Sequence, residues 1–179
     1  YRGLGFVRYD TVAEMLRPGL VRLPPPSHIP VRRVSWRDWR ALADLALQSM
    51  PPGLADMRGI SARTFRPSPW GWLTGSLDAL LSGKHSERWA VGGESLEAVV
   101  SLLAYDGRSP ARLDLAARPR SRGLYEGVLA DWGLSVLGRW GARSVASSVS
   151  EDHPEARQAL EQRRFAILRT LDQLVLELG

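Results

Sequence analysis

The stretch that most constrains the fold is residues 111–140. ARLDLAA (111–117) alternates apolar and polar side chains, the period of a strand. After RPRSRG (118–123), Leu124, Val128, Trp132, Val136 and Trp140 recur at every fourth position, with Leu129, Gly133 and Leu137 alongside. That is the wide apolar stripe of a helix with a buried face, predicted over about 124–140. A strand that feeds such a helix needs a sheet for it to cover. Gly141 stops the helix, and RSVASSVS (143–150) reads as the next strand.

The rest of the chain fills in around this unit. PGLVRLPPPSHIP (18–30) is a proline-rich connector that cannot continue a helix. It separates residues 1–17 from a main domain at 31–179. VRRV (31–34) reads as a short strand. Ser35 is placed to cap a helix over about 36–48, with Asp38 as the acid of a capping box. Trp36, Trp39, Ala43 and Ala46 keep helical spacing there, and Met50-Pro51-Pro52-Gly53 ends it. Residues 54–75, including SPWGW (68–72), read as irregular, and a short helix is predicted at 76–81. ERWAV (87–91) and LEAVVSLLAY (96–105) form a hairpin about GGES (92–95). Asp152 and Glu155 fit a capping box around Pro154, opening a helix to about Arg163. FAILRTL and QLVLEL then close the chain as two strands or one bent strand. The order predicts an α/β (α+β) fold, a mixed sheet with helices on both faces.

Composition narrows the chemistry. The chain has no cysteine, which excludes disulfides, thiolate metal sites and a cysteine nucleophile. His28, His85 and His153 make no ligand cluster, so no metal is expected. The net charge of +5 is carried almost wholly by arginine, Lys84 being the sole lysine, with acids interspersed nearly everywhere. That argues against nucleic acid, which asks for a dense basic stripe. No window of 18 apolar residues spans a membrane. The one local arginine cluster is Arg118, Arg120 and Arg122 in ARPRSRG.

The order of these elements, with LDLAARPRSRG before the long helix and SVASSVSEDHPEARQALEQRRF before the last strands, resembles the GNAT N-acetyltransferase superfamily. In that family the loop before the long helix reads Gln/Arg-x-x-Gly-x-Gly/Ala, and the closing motif reads Tyr-x-x-Leu-Gly-Phe. YRGLGF (1–6) fits the closing motif better than LEQRRF (160–165) does. Laid without gaps, 1–17 matches 160–176, with Phe6 on Phe165, Thr11 on Thr170 and Met15 on Leu174. Residues 1–17 thus read as the closing strand of a preceding GNAT domain, in a tandem protein, and they are expected to pack on the main domain rather than trail free.

The resemblance implies a cytoplasmic N-acyltransferase that moves an acetyl group from acetyl-CoA to the amine of a small molecule or peptide. It assigns the coenzyme's diphosphate to Arg118, Arg120, Ser121, Arg122, Gly123, Leu124 and Tyr125, where the backbone N–H groups of about 122–125 are expected to be unpaired and to cradle an anion. Tyr125 stands in place of the second glycine, which weakens that cradle. Asp114 is a candidate base and His153 a candidate ligand contact, with Glu94 and Glu97 behind them. Leu160 replaces the tyrosine that usually serves as the acid. Trp70 and Trp72 are candidates to line an acceptor pocket, while Trp132 and Trp140 read as core. These departures support an alternative, a catalytically inactive GNAT-like domain that supports or regulates an active N-terminal twin. Its partners would be that twin and, if active, an amine acceptor; a homodimer is left open.

Overall fold

The computed structural model describes residues 6–19, 29–50, 59–66 and 83–176. The main elements among them, in chain order, are β1 (Phe6–Pro18), β2 (Arg32–Arg33), α1 (Trp39–Ser49), β3 (Lys84–Val91), β4 (Ala98–Tyr105), β5 (Arg108–Ala117), α2 (Glu126–Arg139), β6 (Ser144–Ser150), α3 (Pro154–Glu161) and β7 (Ala166–Leu176). Among the described residues the strands form one sheet in the order β2-β3-β4-β5-β6-β1-β7. All pairings are antiparallel except β5 with β6. This is the mixed sheet that the element order predicts.

Both faces of the sheet are covered, and β4 shows how. Ala98, Val100, Leu102 and Ala104 alternate onto one face, in a core with Leu129, Leu134 and Leu137 of α2. Val99 points the other way, into a core with Leu42 and Leu45 of α1 and with Ala90 and Leu96. Full burial of a leucine such as Leu45 or Leu137, each at 0 % exposure, contributes roughly 1.5–3 kcal/mol.

The local signals act as read at the start of α1. Ser35 and Asp38 make a reciprocal capping box around a single turn of 3-10 helix at Trp36–Asp38. That turn shifts the phase of the helix after it, so the buried face of α1 is Leu42, Ala43 and Leu45, and Trp36 is exposed. Similarly, α2 starts at Glu126 rather than Leu124, which lies exposed, and its most buried stripe runs through Leu129, Ala130, Gly133, Leu134 and Leu137. Trp132 and Trp140 are packed against the core only in part. The start of α3 differs from its predicted form: the capping position is His153, not Asp152, and no side chain caps it. The closing strands are one strand, β7. The helix predicted at 76–81 lies outside the described residues.

The opening segment is a full strand of this sheet. β1 pairs with β6 from Val12↔Ser150 to Pro18↔Ser144, and with β7 from Phe6↔Leu176 to Leu16↔Ala166. Ala13 and Met15 face the core.

Candidate functional site

The parallel register of β5 and β6 covers only Ala111↔Val145 and Arg112↔Ala146. Both strands run on, to Ala117 and Ser150, and their carboxyl ends lead into the starts of α2 and α3. The carboxyl ends of parallel strands are where open α/β sheets place ligands. Here that place is ringed by the 118–125 loop, the first turn of α2 and the first turn of α3.

The loop's arginines are each engaged within the chain. Arg118 is buried: it donates through Nε to the Leu96 carbonyl at 2.7 Å and through its terminal nitrogens to Gln48 at 2.6 Å and Asp44 at 2.5 Å. It ties the loop to α1. Arg120 forms a fork with Glu97, at 2.6 and 3.2 Å, and the Ser121 hydroxyl donates to the same carboxylate at 2.6 Å. With Arg120 and then Ser121 donating, the Glu97 carboxyl is held down to about 2. Arg122 donates to the carbonyl of Asp152 at 2.5 Å.

The backbone N–H groups at the start of α2 are engaged as well. Leu124 donates to the Ser121 carbonyl at 3.2 Å. Tyr125, the capping residue, donates at 3.2 Å to Oε2 of Glu126, and the backbone of Gly123 and of Glu126 itself also favours the charge of that carboxylate. The expectation of free N–H groups at about 122–125 is therefore corrected at Leu124 and Tyr125: a carbonyl and a carboxylate of this chain accept what an anion would accept. Gly123 holds φ +83°, a left-handed conformation that favours glycine.

Glu126 is 2 % exposed, and its Oε1 lies 2.7 Å from Nε2 of His153, itself 8 % exposed. Burial raises the Glu126 carboxyl, but the His153 hydrogen bond and the backbone of Glu126 and Gly123 outweigh it, so its pKa lies below the ordinary carboxylate value. The buried carboxylate is ionised at neutral pH. A second acid stands close by, since a Cβ on Gly123 would lie 3.7 Å from Cγ of Glu155. One oxygen of Glu155 is buried without a partner.

The other sequence candidates fall around this centre. Asp114 lies across the gap between β5 and β6: Arg112 donates to it at 2.6 Å, and the backbone N–H of Ser148 at 3.4 Å. Leu160 is wholly buried, and Glu94 is exposed. Trp70 and Trp72 lie outside the described residues. Among those described, no group of three His, Asp or Glu side chains is disposed to hold a metal ion, and no helix is long and apolar enough to cross a membrane. Glu126 itself was missed by sequence reasoning. The available signal was its position, three and four residues before Leu129 and Ala130 on the buried stripe of α2, where an acid needs partners.

No known protein-family profile matches the chain, and no curated protein does. Solved structures match over nearly its whole length. An acetyltransferase of the GNAT family from Colwellia psychrerythraea superimposes with a TM-score of 0.57 at 14% identity, over 96% of this chain. A GCN5-related N-acetyltransferase from Sphaerobacter thermophilus gives 0.56 at 17%, over 94%. A tandem GNAT protein from the clavulanic acid biosynthesis pathway gives 0.55 at 16%, over 96%. This chain spans 57%, 52% and 56% of those chains, respectively. The fold is that of the GNAT acetyltransferases.

Proposed function

We propose that this chain is the non-catalytic lobe of a two-lobe protein of the acetyltransferase fold, and that it supports a twin lobe that binds acetyl-CoA and transfers its acetyl group to an amine. The observation that carries this reading is the Glu126 carboxylate buried at the N-terminus of α2, accepting from the Tyr125 N–H and held against His153. The residues present do not fit the coenzyme's diphosphate: the N–H groups of Leu124 and Tyr125 already have acceptors, and the Glu126 carboxylate occupies the helix N-terminus where the diphosphate would lie.

Magnitudes decide between attraction and repulsion. A helix N-terminus favours an anion by about 0.3–1 kcal/mol. A unit negative charge brought to about 4 Å from Glu126 meets roughly 4 kcal/mol of repulsion at the screening usual near a protein surface, before the offsetting charge of His153 beside it is counted. Arg120 does not reverse this balance while Glu97 holds it, and Arg118 is committed to α1. The wholly buried Leu160, where the fold's usual acid would stand, agrees with a lobe that does no proton transfer. Acetyl transfer remains the kind of reaction the fold supports, and it falls to the other lobe.

Calorimetry with acetyl-CoA tests the reading. The chain gives no binding heat up to millimolar coenzyme. Glu126→Ala with His153→Ala, which removes the carboxylate without stranding its partner, gains binding. Circular dichroism verifies that each variant is folded. Micromolar binding by the parent chain that is lost when Gly123 is made bulky would overturn the proposal.

A further inference from the structure

β7 is at odds with its own place in the sheet. Among the described residues it pairs with β1 on one edge and is the outermost strand. Yet Ile167, Leu168, Leu171 and Leu174 are 38, 63, 39 and 40 % exposed, and alternation puts apolar residues on both of its faces. Arg169, Asp172 and the irregularity at Leu168 are what an outermost strand often carries, but apolar residues on both faces belong to strands inside a sheet.

The β1/β7 ladder shows what covers it. The ungapped match of 1–17 to 160–176 places Tyr9 on Leu168 and Val12 on Leu171. In the ladder Val12 pairs with Leu171, so the match carries this pair into itself. It carries Glu14↔Arg169 into Asp10↔Gln173, Met15↔Ile167 into Arg8↔Leu174, and Leu16↔Ala166 into Val7↔Val175, each of them a pair of the ladder. The ladder has two irregularities. One leaves Tyr9 as an extra residue between Arg8 and Asp10; the other leaves Leu168 as an extra residue between Ile167 and Arg169. The match exchanges these two bulges as well. Any antiparallel pair of strands has a local two-fold axis, but that axis does not decide where bulges fall. The register and the bulges obey the relation that the sequence alone supplied.

We propose that this ladder lies on the two-fold axis of a sheet shared by two lobes of this fold. β1 is the closing strand of the second lobe, inserted between β6 and β7. β7 is inserted in return into the second lobe, whose counterpart of β6 lies along the free edge of β7 as β6 lies along β1. The occupant of that edge is therefore one strand of a second lobe of the same fold, with its core behind the apolar faces of β7. This rests on the two-lobe reading above but not on the loss of coenzyme binding, so the calorimetric result leaves it standing or fallen on its own.

Hydrogen–deuterium exchange on the polypeptide translated from the complete reading frame, with its mass measured by sedimentation, tests the inference. In a monomer, the outward amides of 166–174 exchange roughly 100-fold or more slowly than an open strand, matching those of β1. A monomer in which these amides exchange freely overturns the inference. So does a dimer in which β7 is protected, because the occupant is then a second copy, and so does a reading frame that encodes no second lobe.

Discussion

Arg164 is the one described residue other than glycine that adopts a left-handed backbone, with φ +65°. It stands where the closing motif of the GNAT family carries glycine, and its charge lies near that of Arg17, a buried side chain whose pKa is lowered by burial and then by Arg164. Two effects therefore act together, backbone strain and repulsion. Replacing Arg164 with glycine should raise stability by about 1 kcal/mol, read as a shift of the urea midpoint at constant slope. A loss of stability would show that its side chain makes a net favourable contribution. Gly133 behaves in the opposite way. A Cβ there would stand 2.9 Å from methyl carbons of both Leu102 and Leu113, in the packed interface of α2 with the sheet. Gly133→Ala gains about 1 kcal/mol of helix propensity but loses roughly 1–3 kcal/mol by overpacking, so the net effect should be destabilising. Of these residues, the departure from Leu-Gly-Phe at 163–165 was legible in the sequence. That the backbone keeps the glycine conformation around an arginine was not, because nothing in the local sequence marks a left-handed turn there.

At the scale of elements, signals carried by neighbours in sequence were legible, and signals carried across the fold were not. The capping box of Ser35 and Asp38 is complete within four residues, and it formed as read. The buried face of α1 was misphased by the 3-10 turn before it, while on α2 Leu129, Gly133, Val136 and Leu137 are buried as read and Leu124, ahead of the helix, is not; neither approach changes the spacing pattern of the sequence. Arg118 shows the same limit. In the sequence it belongs to an arginine run; in the fold it spans from the Leu96 carbonyl to α1. Arg118→Ala should therefore destabilise the chain by roughly 1.5–3 kcal/mol through lost charged hydrogen bonds. Arg118→Lys should recover little of this, since one ammonium cannot reach three partners in a plane. Full recovery by lysine, in thermal melts of the three proteins, would contradict the tie.

For the molecule as a whole, the ionised carboxylates set the response to acid. Glu97 is held at about 2 against an ordinary 4.5, and Glu126 also lies below its ordinary value. Such groups bind protons more readily when the chain is unfolded, so their contribution is complete above pH 4.5 and is lost as the pH falls toward 2. Stability should fall over that window, and Glu97→Gln should flatten the fall; an unchanged slope would contradict the role given to Arg120. The order of elements and the mixed sheet could be read from periodicity and caps, because each element announces itself locally. The filled cradle could not, because it depends on His153 meeting Glu126 across 27 positions in sequence.

The proposal that Glu126 fills the place a coenzyme would take in this lobe is tested at the amide resonances of the start of α2. In nitrogen–proton correlation spectra, acetyl-CoA added to millimolar excess should leave the signals of Gly123, Tyr125 and Glu126 in place, while in the Glu126→Ala, His153→Ala protein the same signals should move with saturation. Saturable movement of the Gly123 amide in the parent chain would contradict the account.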